Sequence, residues 1–309
     1  MGKLMKAFFF KISKDIAFRV TLIVGGVTAL MIVGIYAFIQ GAVTTYGEGI
    51  IETDALNGQS LLLNSFSPVQ NFGIAITINL IIFIYLEFSQ GTIRNKIIAG
   101  YSKFAIYSSL YLSGLVYAFA ILFAYVGFST ALGSIFGGFD AYGGVFSLTG
   151  AGSGSATPEY IIKFVVAAIF SYTSLVSFTV FITTTFRNIG PSIPVLYLIP
   201  LLLYFVAMFA NTAYVTAAEI YKAEAQAVAQ GAAQYDLSQT EQVVNTFDII
   251  NNISKCVNPF HAISVANTTD ESKLFMDDMT FYGGIANNIV WAAIFYGFGC
   301  LQFMKRDIK

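Results

Sequence analysis

The chain has 309 residues, of which 56% are hydrophobic and 11% charged, and its mean hydropathy is +0.71. Soluble domains carry about 25% charged residues, so most of this surface cannot face water. The formal net charge of −1 excludes a generally basic nucleic-acid binder, and the chain reads as an integral membrane protein of the all-α class.

The first 19 residues carry Lys3, Lys6, Lys11, Lys14 and Arg19. At 100° per residue, Leu4, Met5, Phe8, Phe9, Ile12 and Ile16 gather on one side and Lys3, Lys6, Ser13 and Lys14 on the other, with Phe10 the exception. This pattern predicts an interfacial helix over 1–19 lying along the inner leaflet, rather than a cleavable signal peptide. A bilayer core of about 30 Å needs about 20 apolar helical residues. Six runs meet or approach that length: 20–39, 72–88, 105–128, 161–186, 192–210 and 282–303. Thr157-Pro158-Glu159 supplies a cap, a proline at the first helical position and an acid in the first turn, so the fourth span is expected to start there. Arg187 to Pro191 interrupts the pattern with glycine and proline, which predicts a tight hairpin between spans four and five.

Lysine and arginine fix the orientation, since cytoplasmic loops retain them. Putting the N-terminus inside assigns 12 of the 16 basic residues to the cytosol, where only Asp15, Glu87 and Asp307 are acidic. The loops then outside, 40–71 and 129–160, contain no Lys or Arg. The expectation is a multi-pass plasma-membrane protein with both termini cytoplasmic. The extracellular segment 211–281 holds nine acids and three lysines. Within it, Thr216-x-x-Glu219 and Ser238-x-x-Glu241 fit the capping box and predict two short helices, the second with Val243, Phe247 and Ile250 on a narrow apolar face. The segment reads either as a lid over a pathway or as a structural cap. The Gly/Ser-rich run 142–158 reads as a flexible connector.

No nucleotide-binding or hydrolase motif occurs, so an enzyme is not expected. Cys256 and Cys300 fall at different depths, and one histidine with two cysteines makes no metal site. Lys163 is placed to pair with Glu159 one turn away. Midplane carboxylates of the kind used by ion-coupled carriers are missing from the spans. Asn79 and the Ser171, Ser174, Ser177 row either line a pathway or pack between helices.

Between spans two and three lies a basic, glycine-punctuated segment, 89–104. Thr92 is expected to cap a helix that stops at Gly100, with Ile93 and Ile97 sharing one face and Arg94, Asn95 and Lys96 projecting elsewhere. Those isoleucines offer an apolar face to a soluble partner; alternatively, Arg94, Lys96 and Lys103 merely mark the cytoplasmic side.

The layout as a whole, together with Glu87, Gly91 to Lys96, Ile97 to Lys103 and the ending Phe303 to Lys309, resembles the permease subunits of ABC-2 type transporters, in particular Gram-positive peptide and antibiotic exporters. The resemblance implies that Glu87, Thr92, Ile93, Arg94, Asn95, Lys96, Ile97 and Lys103 belong to a segment that couples the permease to a separate ABC ATPase. That partner would bind the ATP and magnesium, and this chain would hold no cofactor. A second permease copy or a paralogue would complete the pathway, and the substrate would be a hydrophobic or amphipathic molecule such as an antimicrobial or toxic peptide. A different function, a non-transporting immunity or sensor protein that sequesters a peptide through its outer segment, fits the same sequence.

Overall fold

A computed structural model describes residues 2–14, 16–46, 58–66, 73–138, 158–230, 237–257 and 278–306. Most of the glycine- and serine-rich connector, the residues from 258 to 277 and the tail from Asp307 to Lys309 lie outside these, as does the side chain of Glu159. Every regular element among the described residues is helical: α1 (Gly2–Lys14), α2 (Ile16–Tyr46), α3 (Gly58–Ser65), α4 (Gly73–Ser89), α5 (Thr92–Ile98), α6 (Lys103–Gly137), α7 (Pro158–Phe186), α8 (Ile189–Ala229), α9 (Leu237–Val257) and α10 (Asp278–Lys305).

Local chemistry accounts for several ends. Ser102 caps α6, its Oγ accepting the Ala105 N–H at 3.2 Å, and Gly138 ends it at φ 77°. Pro158 opens α7 at a position where a missing N–H costs nothing. Asn188 caps α8, its Oδ1 accepting the Gly190 N–H, and the two-residue break that the Arg187 to Pro191 pattern predicted is present.

By length and composition, α2, α6, α7 and α10 each contain a segment able to cross a membrane (Ile16–Ile35, Lys103–Phe136, Ile161–Phe186 and Phe281–Lys305), whereas α4 reaches that measure only when α5, set at 51° to it, is counted with it. The start of α8, Ile189–Leu203, is apolar but shorter. The chain outside the spans adds one element to the sequence reading and corrects another. Loop 40–71 contains α3, whose Leu61 is buried and whose Gly58 N–H donates to the Gly138 carbonyl at 2.8 Å, tying it to the end of α6. The fifth helix does not end near Ala210: α8 runs unbroken through Thr216 and Glu219 to Ala229, so that capping-box match lies inside a helix. The Ala-, Glu- and Gln-rich stretch that follows is composed of helix formers and contains neither glycine nor proline until Gly231. The second expected helix is present as α9, which turns back antiparallel to α8, with Thr240 Oγ1 donating to Glu224 Oε2 at 2.6 Å.

α7 is the central helix. Its apolar window is 67% buried, against 22% for those of α2 and α10. α7 packs most extensively on α10 and also touches α4, α6 and α8. Six of its hydroxyls do not need polar surroundings, because Thr173, Ser177, Thr179, Thr183, Thr184 and Thr185 each donate to the carbonyl four residues earlier. Small side chains satisfied in this way let neighbouring helices approach closely inside lipid. Gly299 of α10 lies close to both α6 and α7, since a Cβ there would collide with the Tyr107 hydroxyl and lie 3.4 Å from the Phe181 ring. Residues such as Ile23, Met31, Leu202, Phe209, Val290 and Phe298 leave the outward faces of α2, α8 and α10 apolar and exposed.

Candidate functional site at the basic end of the bundle

α4 and α5 meet at Gln90-Gly91, where Gly91 adopts φ 67° and stands at the N-cap of α5. Left-handed backbone of this kind suits glycine, and it replaces the expected side-chain cap: Thr92 lies inside the helix and no side chain caps the start. The expected stop at Gly100 is present at φ 87°. The Gly100 N–H bonds to the Ile97 carbonyl and the Tyr101 N–H to the Lys96 carbonyl, the paired bonds of a Schellman ending.

The expectation that Ile93 faces a partner is corrected by its burial, whereas Ile97 stays partly exposed. Ile93 is 1% exposed and belongs to the core, and Ile97 packs against that core. The outward face of α5 consists instead of Arg94, Asn95 and Ile98, the last 74% exposed. Amphipathic spacing identified a two-sided helix but assigned its apolar side to the wrong neighbour, because α5 folds back onto its own bundle.

Glu87, at the last turn of α4, is 1% exposed and holds two lysines. Lys11 Nζ of α1 lies 2.6 Å from Oε1, and Lys96 Nζ of α5 lies 2.6 Å from Oε2. The Lys96 ammonium also sits 3.7 Å above the Phe8 ring, and Lys11 lies 5.5 Å from the Phe83 ring centroid. Both contacts favour a cation over an aromatic face. Burial pushes the Lys96 ammonium below the ordinary lysine value, and the Glu87 carboxylate opposes that shift. One carboxylate therefore joins three helices, and α1 is docked onto the bundle. Its Leu4, Phe8 and Ile12 are buried against the protein, while Phe9 and Phe10 remain exposed.

The same end of the bundle gathers further cations. Lys103 Nζ donates to the carbonyls of Met304 and Arg306, and the Arg306 guanidinium donates to the Thr185 carbonyl. Positive groups at these exposed helix-end carbonyls are favoured by both hydrogen bonding and the helix dipole. Arg187, at φ 52° between α7 and α8, lies 5.6 Å from the Phe88 ring centroid, and Phe88 meets Phe303 edge-on at 6.3 Å. Burial, and then the charge of Arg306, lower the Arg187 value. Lys11, Arg94, Lys96, Lys103, Arg187, Lys305 and Arg306 thus share one end, with Glu87 the acid among the described residues there.

The suggested pathway residues are not gathered around an opening. Ser171, Ser174 and Ser177 are fully buried within the helix packing, and Ser177 also bonds to Tyr111 at 3.0 Å. Asn79 is half-buried on α4. On the opposite side a cleft of about 530 Å³ lies between α8 and α9, bounded by Ala217, Ile220, Glu224, Thr240, Val243 and Phe247. Lys163 lies 6.0 Å from the Phe281 ring. Among the described residues, no three His, Cys, Asp or Glu side chains come close enough to hold a metal ion. Compared with protein-family models, curated proteins and solved structures, the chain matches none.

Proposed function

We propose that this chain is the permease subunit of an ATP-driven exporter of the ABC-2 type. In this reading α4 and the first part of α8 join α2, α6, α7 and α10 as six spans, and the basic end of the bundle faces the cytosol of a plasma-membrane protein. The carrying observation is α5, a two-turn helix set at 51° to α4 and held there by the Glu87–Lys96 pair, with Arg94, Asn95 and Ile98 outermost. A short helix so fixed moves as one piece with α4, so a soluble subunit gripping it would transmit its motion into the bundle. ATP and magnesium belong to that partner subunit. A second copy or a paralogue supplies the other half of the pathway. A hydrophobic or amphipathic peptide suits an interior whose one described buried carboxylate is already paired at the basic end.

The test is co-purification from native membranes with the ATPase, followed by measurement of its stimulated hydrolysis. Ile98→Asp puts a carboxylate where an apolar contact is needed and is expected to abolish association, whereas Arg94→Glu, at a partly solvated rim, weakens it less. Both variants should insert and fold normally. Recovery of the protein without any ATPase, together with wild-type protection of cells against a peptide, would show a sequestering immunity protein instead.

A further inference from the structure

A second feature of the basic end lies on its membrane side. Between α6 and α10 there is an open groove of about 420 Å³ lined by Phe104, Ser108, Tyr111, Leu112, Ala292 and Tyr296. The polar atoms of the lining are already engaged. Ser108 bonds to Tyr296 at 2.7 Å and Tyr111 to Ser177 at 3.0 Å, so the groove offers hydrocarbon contact rather than free donors. Ala292 leaves room on the α10 wall, and Phe104 and Leu112 present half-exposed apolar rims. From Lys103 to Leu112 the α6 wall rises about 13 Å, close to half the thickness of a bilayer core.

At the end of this wall, next to Phe104, Lys103 spans from α6 to the end of α10. Its two carbonyl partners take two of the three donors of an ammonium group, leaving one for a further acceptor. Lys305 and Arg306 are exposed beside it. An apolar slot as deep as one leaflet, with cations at its headgroup end, is complementary to a lipid that has both an acyl chain and a negative headgroup.

We infer that the α6–α10 groove binds one anionic phospholipid of the leaflet at the basic end, its acyl chain between Phe104, Leu112 and Ala292 and its phosphate at Lys103. The site is independent of any coupling to an ATPase and rests only on α6 and α10 being membrane spans. A diacyl lipid is favoured over a second copy of the chain because the cations at the mouth would face like charges in a symmetric pairing.

The chain has one tryptophan, Trp291, next in sequence to Ala292. Its ring stacks on Phe295 beside the groove rather than lining it, so its fluorescence senses bromine carried in the adjoining lipid. The purified protein is placed in nanodiscs of phosphatidylcholine with increasing fractions of chain-brominated phosphatidylglycerol, and in the reciprocal series with brominated phosphatidylcholine in phosphatidylglycerol. Quenching should half-saturate at an about fivefold lower fraction for the anionic lipid, the preference expected of one lysine at a membrane surface. Lys103→Gln should remove that preference, Lys103→Arg should keep it, and Ala292→Phe, which fills the slot, should weaken quenching by both lipids. Equal half-saturation in the unaltered protein, or a preference that survives Lys103→Gln, overturns the site. So does efficient disulfide formation between copies of Ala293→Cys in membranes, with the native cysteines replaced, since the groove would then be a protein interface.

Discussion

Glu87 is the point at which the basic end is most open to attack. Replacing it with glutamine keeps the size and removes the charge that holds two cations. Lys96, with its side chain 13% exposed, cannot reach bulk water without leaving Phe8, so its charge is left buried. Removing one partner of such a buried pair typically costs about 3–5 kcal/mol. Lys11 is 30% exposed and can turn outward, so its half of the arrangement is worth about 1 kcal/mol or less. Glu87→Gln should therefore destabilise by about 3–5 kcal/mol and Lys11→Met by about 1 kcal/mol. Converting Lys11, Glu87 and Lys96 together to methionine should recover most of the loss, because apolar replacement of a whole buried ionic group is often neutral. Thermal unfolding in detergent, followed by Trp291 fluorescence, should show Glu87→Gln melting at least about 5 °C lower. Limited trypsin digestion should cut after Lys14 faster as α1 loosens. Unchanged melting and unchanged cleavage in Glu87→Gln would refute the claim that this carboxylate joins α1, α4 and α5.

Three further outcomes are expected. Gly299→Ala drives a methyl into the Tyr107 phenol and should cost about 1–3 kcal/mol by thermal unfolding. Tyr107→Phe, which removes a buried hydroxyl that has no partner among the described residues, should relieve part of that cost in the double variant, and strict additivity of the two would show that they do not collide. Gly91→Ala should destabilise by about 1–2 kcal/mol because its φ of 67° is left-handed, with circular dichroism and melting as the readout. In a variant free of native cysteines, Gln239→Cys should react in intact cells with an impermeant thiol reagent while Arg94→Cys stays protected, and the reverse pattern would invert the topology.

Much of the architecture was legible wherever a breaker residue marks a boundary. Pro158 opens α7, and Arg187 to Pro191 separates α7 from α8, as the pattern required. Where no breaker exists the reading failed: the Thr216 to Glu219 match is genuine in sequence, yet the chain around it has no reason to leave a helix already under way. Loop 40–71 hid α3 because eight residues of mixed polarity carry no decisive period. The basic segment 89–104 was recognisable as a short helix between two apolar ones, but not which side it buries. Glu87 pairs with lysines 76 and 9 positions away, and such distances leave no trace in local spacing. Fold class therefore follows from hydropathy, while the site depends on tertiary neighbours that only the folded chain brings together.

The length of α8 has a mechanical consequence. Its 41 residues make a rod of about 60 Å, roughly twice the thickness of a bilayer core. Pro194 and Pro200 interrupt its hydrogen-bond ladder in the turns nearest Arg187, so compliance is concentrated at the base while the remainder is stiff. From Pro200 to Ala229 the arm is about 44 Å long, and a tilt of about 10° at the prolines swings its tip by about 8 Å. α9, hydrogen-bonded to Glu224 near that tip, travels with it. A displacement at the basic end too small to open a gap between helices would thereby be amplified at the far end of α8.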